Sequence, residues 1–145
     1  MRLQITHVDY VRWKVTGKVK RIDIRDDIDS LSRQGEVRDA LVVFCTVEGV
    51  DQRDPDLVLK KACDEMNELA VKRLKVENVV LFPYVHLFPE SIPPAKFAFD
   101  MLNRLQERLS ENFKVFRAPF GWYKMHELKC KGHPLSESSR TVRPD

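Results

Sequence analysis

The chain has 145 residues, of which 43% are hydrophobic and 9% aromatic, so it can bury one sizeable core but hardly two. Its 25 Lys and Arg side chains stand against 22 Asp and Glu, and a net charge of +3 excludes a strong overall field that would pull it onto nucleic acid. Any contact with RNA must therefore be local. No apolar run approaches the roughly 20 residues of a membrane span, and the N-terminus lacks the layout of a signal peptide, which predicts a cytoplasmic protein.

The first third of the chain predicts a β-hairpin followed by a central strand. Residues 1–8 and 11–15 alternate apolar and polar side chains, as half-buried strands do, and Asp9-Tyr10 lies where a turn would join them. The charged stretch over residues 25–39 predicts an irregular connection. Residues 40–47 are an almost continuous apolar run, which is typical of a strand covered on both faces.

The remaining chain predicts two main helices that alternate with strands. Asp54-Pro55 combines an N-cap with a proline at the first helical position, and apolar residues at helical spacing continue this helix to about Lys75. The other predicted elements are strands at residues 78–82, 114–118 and 122–130 and a second helix from about Pro94. The order ββ, β, α, β, α, ββ predicts an α/β or α+β fold, in which a mixed β-sheet is layered with two main helices.

A single domain over residues 1–145 accounts for the whole chain. From Ser136 onward the composition becomes polar, without a further apolar run. We therefore expect residues 138–145 to form a tail or the start of a linker.

The predicted strand at residues 122–130 carries several reactive side chains. Period-two alternation places Lys124 and His126 on the same face as Leu128, which should be the covered face. A lysine turned toward a core costs several kcal/mol unless it is paired or lies at the mouth of a cavity, and such lysines are often functional. The alternative is that Lys124 extends past the end of the strand to water.

Three residues near the end of this strand, His126, Cys130 and His133, are of types that bind metals. On a straight strand, residues four apart are separated by roughly 13 Å, which is too wide for one zinc ion with ligands at about 2.0–2.3 Å. We therefore predict no metal and no cofactor. Cys130 as a nucleophile would need a histidine base, and a buried structural thiol is the simpler interpretation. An odd number of cysteines without a CxxC pair predicts reduced thiols.

His86 follows one predicted strand and precedes the second main helix. Ligands of open α/β sheets bind beyond the carboxyl ends of the strands, and the residues around His86 are apolar enough to shape a pocket. A loop histidine held by a backbone carbonyl is an equally good interpretation. The motifs of nucleotide-dependent enzymes and common hydrolases do not occur. From residues alone, the sequence predicts a pocket between His86 and Lys124.

Five blocks spread over the chain carry a family resemblance. They are His7-x-Asp9-Tyr10, Val47-Glu48, Phe82-Pro-Tyr-Val-His86-Leu, Ala118-Pro-Phe-Gly-Trp-Tyr-Lys124 and Cys130-Lys-Gly-His-Pro-Leu-Ser-Glu137-Ser-Ser-Arg140-Thr. Together they resemble the N-terminal editing domain of archaeal-type threonyl-tRNA synthetase, which is similar in fold to the D-aminoacyl-tRNA deacylases. The last two blocks are long enough to be specific, and the resemblance spans essentially the whole chain.

The resemblance implies an activity and its partners. The domain would hydrolyse the ester that joins serine to the 3'-terminal adenosine of threonine tRNA. Serine lacks one methyl group of threonine, and such a difference gives only about 1–3 kcal/mol of discrimination, so a synthetase needs a second, editing site. The implied partner is the 3' end of aminoacylated threonine tRNA, and analogy with related deacylases predicts a homodimer.

The resemblance also implies residue roles. Lys124 would stabilise the charge that develops on the attacked carbonyl, and His86 would position the ligand or the attacking water. In this family the terminal 2'-hydroxyl of the tRNA is thought to assist the water. The implied substrate-binding residues are Val47, Pro83, Val85, Tyr123 and Glu137. Two alternatives stay open, a D-aminoacyl-tRNA deacylase that acts as a chirality checkpoint and a non-catalytic tRNA-binding module.

Overall fold

A computed structural model describes residues 1–31 and 33–145, and within them six strands alternate with two main helices. The strands are β1 (Arg2–Lys18), β2 (Gln34–Thr46), β3 (Asn78–Pro83), β4 (Lys114–Arg117), β5 (Trp122–Cys130) and β6 (Glu137–Thr141). The helices are α1 (Ile28–Leu31), α2 (Pro55–Met66), which continues as π-helical turns over Asn67–Leu74, and α3 (Ala95–Leu109), and a 3-10 turn spans Gly49–Arg53. The predicted α+β class with a mixed sheet is confirmed.

The strands form one sheet in the order β4-β3-β2-β1-β5. β2, β3 and β4 run parallel, whereas β1 pairs antiparallel with β2, β5 and β6. β5 and β6 follow one another along the same edge of β1, because β5 pairs with residues 8–18 and β6 with residues 2–6.

The predicted N-terminal hairpin is wrong, because β1 is one continuous strand through Asp9-Tyr10. Its register against β5 shifts between Val8 and Tyr10, so Asp9 is the extra residue of a β-bulge. The bulge changes the face onto which the following side chains point: Leu3 packs with the helices, whereas Val11 packs on the opposite face. The alternation of apolar and polar side chains shifts by one residue at Asp9. This shift marks a β-bulge and not a turn.

The charged stretch over residues 25–39 is more regular than predicted. It contains α1 and the first half of β2, which pairs with β1 from Gln34 onward. The pairing partners on β1 supply the backbone hydrogen bonds that extend this strand, although its own side chains are largely exposed.

Helices α2 and α3 cover one face of the sheet. Asp54 caps α2 as predicted, since its side chain accepts a hydrogen bond from the Leu57 backbone N–H at 3.1 Å. The buried cluster under these helices includes Leu3, Leu41, Val43, Leu59, Met66, Leu102 and Leu105. In the part of the chain described, no helix combines the length and apolar character needed to cross a membrane.

The other face of the sheet curls around a second apolar cluster. The ring of His126 on β5 lies 4.9 Å from the ring of Phe82 on β3 and 5.6 Å from that of Phe44 on β2, measured between centroids. Because β1 and β2 separate β5 from β3 in the sheet, these contacts require strong curvature. The predicted central strand is confirmed, since Val42 and Val43 are buried on opposite faces.

The predicted tail over residues 138–145 is wrong in its first part, because residues 138–141 belong to β6 and Val142 is buried. Backbone hydrogen bonds to β1 hold the strand, and the Val142 N–H donates to the Met1 carbonyl at 2.8 Å. Because the side chains of this edge strand are polar, its composition is that of a tail. Amino-acid composition alone does not reveal that its backbone pairs with β1.

Candidate active site

A cavity of about 560 Å³ opens where the curled sheet brings the start of β5 close to the ends of β2 and β3. The β3–α3 loop, the first turns of α3, the β1–α1 turn and the β4–β5 turn complete its walls. Its lining includes the predicted site residues Val47, Pro83, Val85, His86, Tyr123 and Lys124. The structure therefore brings together the two side chains that sequence reasoning assigned to one pocket, His86 and Lys124.

Glu137 is not part of this cavity. It is exposed at the start of β6, opposite Thr6 on β1, whereas Lys124 lies opposite Val15. Nine residues of strand correspond to roughly 30 Å. Within one chain, Glu137 and Lys124 therefore cannot act on the same small group.

Lys124 lies on the inward face of β5, as the alternation predicts. Its Nζ donates to the backbone carbonyls of Pro119 at 2.7 Å and Trp122 at 2.6 Å, and it lies 5.6 Å from the centroid of the Phe82 ring. The amine is thus turned back into the cavity and does not extend along the strand to water. An ammonium has three N–H donors, so these two carbonyls leave one for a ligand.

Burial lowers the pKa of Lys124 from 10.5 to about 8, although the negative charge of Asp26 acts in the opposite direction. Among the residues that the structure describes, no carboxylate lies within ion-pair distance of Lys124. The ammonium is therefore held by neutral dipoles, which leave its charge uncompensated. A lysine perturbed in this way inside a cavity is a candidate functional group.

The carbonyls that hold Lys124 belong to a turn that Asp26 positions. The buried Asp26 carboxylate is paired with the Arg117 guanidinium and accepts a hydrogen bond from the Phe120 backbone N–H at 2.8 Å. The Trp122 indole N–H donates to the Asp26 carbonyl at 2.8 Å. Both ends of the β4–β5 turn are thus fixed to one residue of the β1–α1 segment. Sequence reasoning missed Asp26, because its partners are about 90 residues away.

The opposite wall, residues 84–93 of the β3–α3 loop, is held by the last two residues of β2 and by Glu48 just after it. The Tyr84 N–H donates to the Cys45 carbonyl at 3.0 Å, and the Thr46 hydroxyl donates to the Tyr84 carbonyl at 2.8 Å. The Glu90 N–H donates to the fully buried Glu48 carboxylate at 3.2 Å. These bonds fix both ends of the segment that presents His86.

The buried carboxylate of Glu48 accepts hydrogen bonds from several donors. Burial alone would raise its pKa, but hydrogen bonds from Arg2, from the Glu90 backbone and from the N-terminal ammonium outweigh burial and lower it. Arg143 adds a further hydrogen bond at 3.0 Å. The carboxylate therefore stays charged and anchors the loop. In the sequence, Glu48 stood out only as part of the block Val47-Glu48.

His86 is exposed at the mouth of the cavity. Its ring packs edge-on against the Tyr84 ring, with centroids 5.1 Å apart. Within residues 1–31 and 33–145, no protein group forms a hydrogen bond with its imidazole, so both ring nitrogens are open to a ligand. The interpretation of His86 as a loop histidine held by a backbone carbonyl does not apply.

His126, Cys130 and His133 do not converge on one point. His126 lines the cavity against Phe82, and burial together with the positive charge of Lys124 lowers its pKa. His133 instead hydrogen-bonds His7, with 2.7 Å between Nε2 and Nδ1. These three residues therefore do not form a single metal site.

A second, more open cleft of about 720 Å³ lies over the middle of β1, between Trp13, Gly35 and Met125. It is larger than the cavity at Lys124 but contains none of the predicted site residues. The smaller cavity is the stronger candidate, because it combines a dehydrated amine, an open imidazole and convergent backbone groups.

The fold places the protein in a class. The curled mixed sheet with two main helices on one face defines an α+β protein. The chain superimposes on a solved structure described as c-Myc DNA Unwinding Element Binding Protein with a TM-score of 0.64, covering 98% of this chain and 99% of that chain. At 10% sequence identity this likeness shows the fold alone.

The family follows from sequence comparison. Residues 1–142 match the family described as the archaea-specific editing domain of threonyl-tRNA synthetase, and the chain belongs to this family. It is 44% identical to the threonine–tRNA ligase of Methanococcus maripaludis strain C7 over 98% of its length, and 40% identical to that of Pyrococcus furiosus over 100%. It spans only 22% and 23% of the length of these two relatives.

Proposed function

We propose that the cavity at Lys124 hydrolyses the ester that joins serine to the 3'-terminal adenosine of threonine tRNA. Membership of the editing-domain family supports a proofreading role. The observation that carries the chemistry is the Lys124 ammonium, which is half-buried at the cavity, held by two carbonyls and without a carboxylate partner in the described residues.

Lys124 is suited to stabilise the transition state. With a pKa of about 8, most of the amine is cationic at neutral pH. When an attacking water adds to the serine carbonyl carbon, negative charge develops on the carbonyl oxygen. A fixed ammonium with one free N–H can donate to that oxygen, and such a preorganised donor commonly contributes a few kcal/mol.

His86 is suited to orient the reacting groups. Its ring nitrogens are free at the mouth of the cavity, where the ribose of the terminal adenosine would enter. In the reaction, the oxygen of water bonds to the acyl carbon and the ester C–O bond breaks. The 3'-oxygen of the adenosine leaves with a proton, and the neighbouring 2'-hydroxyl can relay that proton.

The remaining lining residues are suited to hold the adenosine and the amino acid. The backbone near Val47, Pro83 and Val85 forms one wall, and Tyr123 lies beside Lys124 on the other. Threonine carries one more methyl group than serine, so a closely fitting wall would discriminate by about 1–3 kcal/mol.

One deacylation assay tests the proposal. The chain is incubated with threonine tRNA esterified to L-serine, L-threonine or a D-amino acid, and release of each amino acid is measured. We expect fastest release of L-serine. Preference for the D-amino acid would instead make the protein a chirality checkpoint, and binding of tRNA without turnover would make it a non-catalytic module.

We also propose a homodimer, by analogy with related deacylases. Both β5 and β6 are edge strands whose free sides are available for pairing. Sedimentation equilibrium of the chain would show a mass of two copies, and a strict monomer would reject the dimer.

A further inference from the structure

The β1–α1 turn forms one rim of the cavity and is rich in basic side chains. Val19, Arg21 and Ile22 line the cavity. Over residues 18–25 there are four basic side chains and one acid, Asp23. The chain as a whole is nearly neutral, so this is a local concentration of positive charge at the cavity.

Three of these side chains are exposed cations without a partner. Lys18, Lys20 and Arg21 are exposed, and within the described parts of the chain none of them forms an ion pair or a side-chain hydrogen bond. Lysines exposed on the helices behave differently. Lys60, Lys72 and Lys96 each pair with an acid one helical turn away. Other exposed cations without a partner among the described residues, such as Lys14 and Lys75, do not line the cavity, so what distinguishes the rim is that its unpaired cations are grouped beside the cavity.

The rim is rigidly connected to the site of Lys124. The Arg25 guanidinium donates to the carbonyls of Val19 at 3.0 Å and Ile22 at 2.6 Å, and the Val19 N–H donates to the Gly121 carbonyl at 3.1 Å. Gly121 has a φ of +85°, and a Cβ there would lie 2.4 Å from the Cβ of Arg25. The close approach of the two turns requires this glycine, and it holds the backbone that carries the cations against the turn that binds Lys124.

The opposite rim has a different character. Val85, Phe88 and Ile92 are 40%, 87% and 66% exposed, and the acid of that loop, Glu90, is paired with Arg143. Apolar side chains offer no charge to a phosphate group. His86 is the basic side chain of that loop at the cavity, so the β1–α1 turn is the side of the cavity that offers several cations to the phosphates of a nucleic-acid strand.

We propose that Lys18, Lys20 and Arg21 bind the backbone phosphates of the single-stranded RNA 3' end whose terminal aminoacyl-adenosine occupies the cavity. The inference rests on the proposed function and extends it to the nucleotides before the terminal adenosine. Such contacts carry no base specificity, but they set the position and direction of the strand. They also explain how a protein of net charge +3 can bind RNA, because only the rim needs to be basic.

Two triple variants of equal charge change separate this role from a general effect of charge. Lys18→Ala/Lys20→Ala/Arg21→Ala removes the three rim cations. Lys60→Ala/Lys72→Ala/Arg73→Ala removes three cations from α2 and its π-helical continuation, none of which lines the cavity. Each variant is assayed with seryl-tRNA and with 3'-seryl-adenosine, which has no phosphate.

We expect the rim variant to lose about tenfold more kcat/KM on seryl-tRNA than on 3'-seryl-adenosine. The slope of log Kd for uncharged tRNA against log salt concentration should fall by about 2, since each contact with a single strand contributes about 0.7. The helix variant should resemble the wild type on both substrates. Circular dichroism melting of both variants verifies that they are folded.

Two results would overturn the proposal. One is an equal loss on both substrates, which would place the rim cations in the chemistry or the fold. The other is an unchanged affinity and salt slope for tRNA in the rim variant. A wild type that hydrolyses neither substrate would instead reject the proposed function, while the binding arm would still decide whether the rim holds phosphates.

Discussion

The two ends of β5 carry the same side chain in opposite environments. At the start of the strand, Lys124 is bound by two carbonyls, and burial lowers its pKa to about 8. Just beyond the other end, Lys131 lies 2.8 Å from Asp9 and 3.5 Å from Asp39, and the hydrogen bond that its ammonium donates to Asp9 raises its pKa. One lysine is destabilised as a cation, and the other is stabilised.

The difference shows which lysine can act on a ligand. Lys131 already has its counter-ions, so a substrate would have to compete with two carboxylates. Lys124 is a charge held by dipoles alone at a cavity, and negative charge that develops beside it is stabilised at once. Its environment disfavours the isolated cation, which is why a ligand that supplies negative charge gains most there.

The largest expected effect comes from removal of the Lys124 amine. Lys124→Met should slow release of serine from seryl-tRNA about 100-fold or more, because the donor to the developing oxyanion is lost. Lys131→Met is the matched control and should stay within about twofold of the wild type. Near-normal activity of Lys124→Met would remove this lysine from the mechanism, and circular dichroism of both variants verifies the fold.

A second effect concerns stability against pH. The pKa of Lys124 is about 8 in the folded protein and 10.5 when exposed, so between these values the unfolded chain binds more protons. The free energy of unfolding of the wild type, relative to Lys124→Met, should therefore rise with pH over this interval. The shift corresponds to about 3 kcal/mol. Urea unfolding of both proteins between pH 7.5 and 10.5 measures it, and a constant difference would contradict the burial of the amine.

A smaller effect is expected at His126. Burial and the charge of Lys124 both lower its pKa. Lys124→Met removes the second cause, so the pKa of His126 should rise but stay below that of an exposed histidine. Titration of the imidazole resonances by NMR in wild type and variant measures the change. An identical titration in both proteins would show that the amine does not share the cavity with His126.

The smallest effect is expected at the far end of the strand. Asp9→Asn removes the main partner of Lys131 and should lower the pKa of that lysine toward its usual value. The pair is exposed, so the melting temperature should change by less than about 2 °C and deacylation should not change. A loss of activity comparable to that of Lys124→Met would mean that both ends of β5 take part in the chemistry.

The sequence predicted correctly those strands and helices that are determined by the hydrophobic pattern and the capping residues of their own segment. The apolar run of β2, the Asp54-Pro55 start of α2 and the inward face of Lys124 are visible in the sequence because period and capping are local signals. The bulge at Asp9 and the pairing of β6 were missed, because both depend on a partner strand far along the chain.

In the candidate site, too, residues with a local signal could be predicted, whereas residues that depend on distant contacts could not. His86 and Lys124 could be placed in one pocket from their positions at strand ends, and the family resemblance supplied Val47 and Tyr123. Asp26 could not be predicted, because its role depends on the curvature that brings Arg117 and Phe120 to it. Glu137 was assigned to the pocket by resemblance, but β6 lies beside the other half of β1.

The most direct test is a titration of Lys124 itself. Lysine labelled with 13C at Cε reports the protonation of each amine by NMR, and Lys124→Met assigns the resonance. We predict a midpoint at about 8, and a change in the resonance when seryl-adenosine with an amide in place of the ester binds. A midpoint near 10.5 that the ligand does not affect would contradict the account, because the amine would then lie in water, away from the substrate.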